Sequence, residues 1–216
     1  MKVKYEGIFL ESDYAIINMA FANIKATLLK YINDPLLMEK LFDGLILVGQ
    51  EQNPGGGKYW DYVNIHDPKR VILKTGSISQ LLIYHALFHF ICLNVPKELN
   101  PAEILSHITL RCPDGRPITG VGNNNLYYRN MGYYNTYYTG YISIEYPNHQ
   151  HPMYWGDEEA KGPSEDSADM FCSLIGGNIA DNAAGFVIQD WLIHCLIDIL
   201  KYKSIVSMDF EWDSRK

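Results

Sequence analysis

Arg70-Val71-Ile72-Leu73-Lys74, followed by Ser79-Gln80-Leu81-Leu82-Ile83-Tyr84-His85-Ala86-Leu87-Phe88-His89-Phe90-Ile91-Cys92-Leu93, decides how this chain folds. The first segment predicts a strand. Ser77 or Ser79 can then cap a helix running to about Leu93. Because that helix is apolar on nearly every side, it is expected to be central and buried. His85 and His89 interrupt it one turn apart, on the same helix face, so both imidazoles can converge on one ion.

Upstream, Tyr14, Ile17, Met19, Phe21, Ile24, Leu28 and Leu29 approximate helical spacing and predict an amphipathic helix from Ser12 to about Tyr31. Asn33-Asp34-Pro35 reads as a cap with proline at the first position of a short helix through Phe42. Leu45-Ile46-Leu47-Val48 is another strand candidate, and Gln52 to Lys58 a loop. The Gly55-Gly56-Gly57-Lys58 run lacks phosphate-loop spacing, and Tyr59 stands where a magnesium-binding hydroxyl would be, so no nucleotide site is expected.

Downstream, a short helix may follow Asn100-Pro101, and the Tyr137 to Tyr146 segment favours strand and turn. Ser164 is a candidate N-cap for a helix ending near Gly176-Gly177. A last helix is expected from about Ala183 to Tyr202, with the tail from Trp212 frayed.

With 216 residues and 47% hydrophobic content, the chain can bury a sizeable core, most simply as one domain over 1–216. Its N-terminal part, about 1–42, is expected to be helical, with the metal-site core at about 70–200. A net charge of −7 without a long basic run excludes the electrostatic footprint of a nucleic-acid binder. No stretch approaches a membrane span, and Met1 to Gly7 lacks the apolar core of a signal peptide. The expected setting is cytoplasmic, or a target cell reached by a specialised secretion route. Cys92, Cys112, Cys172 and Cys195 are far apart and suggest a reduced compartment rather than disulfides.

Zinc needs a third protein ligand beyond the two histidines. Glu165 is the choice, because Glu165-Asp166-Ser167-Ala168-Asp169 puts a second carboxylate one turn behind it. Asp169 could then accept the other ring nitrogen of His85 and fix its tautomer. Asp166 is an alternative ligand, and Glu165 with Asp166 could instead serve only the positive end of the helix dipole.

His85-Ala86-Leu87-Phe88-His89 resembles the zinc-protease signature H-E-x-x-H with alanine in place of glutamate. Together with Glu165-x-x-x-Asp169 it resembles the gluzincin branch of zincin metallopeptidases. Glu165 to Phe171 is similar to the E-[DE]-x-A-D-M-F segment of small zincin-like proteins, some of them toxin-like. The resemblance implies an α+β zincin-like fold: a central active-site helix, a small mixed sheet with Val71-Ile72-Leu73 near that helix, and a C-terminal helical part. It also implies Zn2+ on His85, His89 and Glu165, Asp169 behind them, and a protein or peptide substrate, in an effector or toxin-like setting or as an intracellular protease.

Ala86 is the position of the missing general base, and its methyl group can move no proton, so the chain is expected to bind zinc and hardly turn over. An engineered Glu-to-Ala change and a natural pseudoenzyme compete as its origin. Retention of the other motif elements favours the former. Tyr154 or His151 is the candidate donor to an oxyanion, with His149 beside them.

His194 reads as a core or interface histidine, and His66 and His107 carry no signal. The tyrosines between Tyr127 and Tyr146 suit a substrate groove and a sheet face equally. Besides the peptidase stand a catalytically dead zincin used as a protein-binding module and, far weaker, a cysteine hydrolase on Cys172, which lies in a helix interior.

Overall fold

The computed structural model describes residues 3–52, 61–63, 66–108, 110–115, 162–177, 179 and 183–213, of which 61–63, 106, 162–166, 184 and 207–213 are described by backbone alone. Their order is β1 (Lys4–Gly7), α1 (Glu11–Leu28), α2 (Leu37–Leu41), β2 (Ile46–Gln50), β3 (Asp61–Val63), β4 (Arg70–Lys74), α3 (Gln80–Leu93), a 3-10 turn (Lys97–Leu99), α4 (Pro101–His107), α5 (Gly162–Gly176) and α6 (Ala183–Asp213). The class is mixed α and β, consistent with the α+β expectation.

The four strands form one mixed sheet in the order β1-β2-β4-β3. β1 with β2 and β2 with β4 are parallel, while β3 runs antiparallel along β4 at the edge. Leu47 and Val71, paired in register, are both fully buried, so one sheet face feeds the core. Gly7 and Gly49 face each other at the end of β1 and β2. A Cβ on Gly7, at φ +76°, would stand 2.2 Å from the Gly49 carbonyl oxygen, so only glycine fits this crossing.

Two polar junctions fix α3 against this sheet. At its start, Ser79 Oγ accepts the Leu82 N–H at 3.2 Å. Just before it, the buried Asp13 carboxylate accepts the Leu10 N–H at 2.9 Å and the Gly76 N–H at 3.1 Å, joining the head of α1 to the turn after β4. At its end, Asn94 Nδ2 donates to the Pro68 carbonyl (2.8 Å) and to Phe90 (2.9 Å). The helix is thereby held at both ends beside β4.

Around α3 the core closes through aromatic contacts. Phe88 stacks on Phe171 of α5 with centroids 4.9 Å apart, and Phe42 bridges Phe21 of α1 to Phe90. Burying each such side chain contributes about 1.5–3 kcal/mol. The expected burial of this helix holds, and Cys92, Cys172 and Cys195 are buried free thiols within helices.

Several boundaries differ from the sequence reading. The N-terminal part opens with strand β1, and β3 was also unanticipated: each is three or four residues long, too short for a period to register. The short helix begins at Leu37, because Asp34 Oδ1 accepts the Leu36 N–H and makes 34–36 a turn that includes Pro35. Helix α5 starts at Gly162, placing Ser164 inside it rather than at its cap, since Pro163 is tolerated in a first turn. Helix α6 continues through Trp212 to Asp213, and 214–216 lie outside the described residues. The Gln52 to Lys58 loop beyond Gln52 and the Tyr127 to Tyr146 cluster lie outside the described residues. No helix among the described residues is long and apolar enough to cross a membrane.

Candidate metal centre

Ile83, Ala86, Leu87, Phe88, Phe90 and Ile91 are all buried in α3, whereas Leu81, Leu82, His85, His89 and Leu93 are not wholly covered. Helical spacing puts these five on one stripe, so both histidines occupy the open side of an otherwise enclosed helix. His85 Nε2 and His89 Nε2 stand 2.9 Å apart, with ring centroids 4.6 Å apart and planes at 70°. Two nitrogens each about 2.0–2.1 Å from a tetrahedral zinc would be separated by roughly 3.3 Å, so the pair fits one ion with a few tenths of an ångström of opening.

The outer nitrogen of His85 faces α5. Its Nδ1 is 3.5 Å from Asp169 Oδ1, and the Asp169 side chain is completely buried. A buried carboxylate next to an imidazole stabilises the tautomer with hydrogen on Nδ1 and leaves Nε2 as a lone-pair donor. The structure thus brings Asp169, on α5, beside His85, the histidine the sequence reading set it behind.

α3 and α5 run in opposite directions: Asp169 meets His85, while the later Cys172 donates its thiol to the carbonyl of the earlier Leu81 at 3.5 Å. Glu165 and Asp166 lie in the first turns of α5, described by backbone only. Glu165 comes one turn before Asp169, which in this antiparallel arrangement is the level of His89. Among the described side chains no group of three His, Cys, Asp or Glu is assembled. Tyr154, His151 and His149 lie outside the described residues.

Ala86 is fully buried on the core side of α3 and shares a cluster with Leu87, Phe90 and Leu73. His194 is not a core histidine but an exposed one: Nδ1 lies 2.7 Å from the Asp190 carbonyl on the outer side of α6. The flanking helix positions 192, 193, 195 and 196 are the buried ones, so an apolar stretch hid a single outward position. His107 is likewise exposed and bonded to Glu103 at 3.2 Å. Cys172 sits in the buried interior of α5, where its thiol donates to the Leu81 carbonyl.

One polar cluster escaped the sequence reading. Asn23 Nδ2 of α1 donates to Gln80 Oε1 (2.8 Å) and to Tyr84 Oη (2.9 Å), and that hydroxyl donates to Gln80 Oε1 at 3.0 Å. Gln80 and Tyr84, four apart on α3, are the signal for it in an otherwise apolar helix.

No family model, curated protein or solved structure matches this chain.

Proposed function

We propose that the chain is a zinc-dependent metallopeptidase domain of zincin type, present without its general base at Ala86. The observation that carries this reading is the pair of Nε2 atoms 2.9 Å apart, backed at 3.5 Å by a buried carboxylate on a second helix. His85 and His89 would hold the metal, with Glu165 completing the set from the level of His89. Asp169 would orient His85. When bound, zinc supplies Lewis acidity and makes water a nucleophile near neutral pH.

Two features of the fold support the same reading. The metal helix follows directly on β4, and the antiparallel β3 lies beyond β4 at the sheet edge, near α3. A peptide laid along such an edge gains main-chain hydrogen bonds. The substrate would accordingly be protein or peptide. An effector or toxin-like role rests on the motif resemblance alone.

A second reading is favoured by Ala86 itself. Its complete burial among apolar side chains suits a helix adapted to alanine, hence a natural zinc-holding pseudoenzyme that binds protein without cutting it.

Elemental analysis of the purified chain beside His89→Ala tests the site. About one zinc per chain, lost in the variant, is expected. No zinc in either protein after zinc is supplied would sink both readings. Ala86→Glu then separates them: hydrolysis of a casein or peptide-library substrate supports the peptidase, and inertness with zinc retained supports the pseudoenzyme.

A further inference from the structure

Away from the histidine stripe, α1, the first turn of α3 and the C-terminal end of α5 enclose a groove of about 700 Å³. A second hollow of about 340 Å³ shares Thr27, Lys30, Ile175 and Gly176 with it and continues to Tyr31 and Gln189. From Asn23 to Tyr31 the trough spans about 12 Å of chain. That is the length of about three or four extended residues.

Its chemistry is unusual in one respect: among the described residues three carboxamides line it, those of Asn23 and Gln80 at one end and Gln189 at the other. Each carboxamide offers one acceptor and two donors, as a peptide bond offers an acceptor and a donor. Asn23 gives its amide group to Gln80 and Tyr84, which leaves Oδ1 as an acceptor that no described residue uses. Gln80 Nε2 has only the Met19 sulfur as a described acceptor, a weak one. Tyr84, itself almost wholly buried, anchors this cluster to the floor, and Leu81 and Ile175 provide apolar lining.

The charge pattern selects among ligands. Among the described residues no carboxylate lines either hollow. Among the described residues Lys30 is the one charged residue lining them, and it lies beside the C-terminal ends of α1 and α5, whose partial negative charges offset it. We infer that this trough is a second binding site, for a short uncharged peptide segment of three or four residues, read through its backbone amides. It uses the Gln80 and Tyr84 side of α3 and does not depend on metal at His85 and His89.

Side-chain amide NMR on the full chain, titrated with N-acetyl-trialanine amide and with versions carrying a central glutamate or lysine, tests this. The expected result is saturable shifts of the Asn23, Gln80 and Gln189 NH2 signals with the neutral peptide. Asn23→Leu should bind it roughly tenfold more weakly, and neither charged version should bind more tightly. Thr27→Trp, which fills the trough from a partly exposed position, should also abolish the shifts and serves if Asn23→Leu does not fold. Three results would each overturn the inference: no saturable shift up to about 10 mM peptide, unchanged binding in folded Thr27→Trp, or clearly tighter binding of either charged peptide.

Discussion

At the scale of single residues, two imidazoles of α3 sit in divided surroundings. His85 has Asp169 behind it and His89 in front. If Asp169 sets the His85 tautomer, Asp169→Asn should keep the fold and weaken zinc binding about 10–100-fold, as loss of an orienting partner commonly does. Competition against a fluorescent zinc chelator measures this, and unchanged affinity would remove Asp169 from the site. Ala86 makes the opposite kind of prediction. Placing glutamate where a methyl is enclosed by apolar groups costs several kcal/mol unless the carboxylate reaches water or metal. Zinc should therefore recover part of the Tm lost in Ala86→Glu if the side chain turns toward the site. A Tm that zinc does not move would mean that position 86 belongs to the core alone.

Among the elements, α3 shows what was legible and what was not. Its limits, its Ser79 cap and its burial follow from an apolar run bounded by a capping residue, and β4 follows from five residues of strand composition. The packing of α3 on α5 brings Asp169 beside His85, where the spacing of Glu165-x-x-x-Asp169 had led it to be expected. Strand β1 was not legible, since its side chains have little apolar content and its place comes from hydrogen bonding to β2. Nor was the Asp13 junction, which depends on a turn sixty residues downstream meeting the head of α1. Asp13→Ala should destabilise the protein by about 1–3 kcal/mol, because the Leu10 and Gly76 N–H groups lose a buried acceptor. Urea denaturation would show it, and a change within a few tenths of a kcal/mol would mean water replaces the carboxylate.

For the whole molecule, the packing of α6 against α2 leaves a titration signature. Lys203 Nζ donates to the Leu41 carbonyl at 3.3 Å, and burial holds its ammonium below the ordinary lysine value of 10.5, with Asp43 partly restoring it and Lys69 opposing. Since the folded pKa is the lower one, the folded state is penalised while this lysine is charged. The penalty is full below the folded pKa and is relieved as pH rises toward 10.5. Lys203→Met should accordingly raise Tm near neutral pH, with the gain shrinking at alkaline pH. A gain independent of pH would assign the effect to packing alone.

The order in which the chain is made adds a last consequence to the contact between α3 and α5. The histidines leave the ribosome long before Asp169 and Glu165 do. A nascent chain therefore carries α3 before the helix that packs on it has been made. The contact of α3 with α5 forms only when that later helix docks, and a chain truncated before α5 would expose the apolar flank of α3 that Phe171 covers.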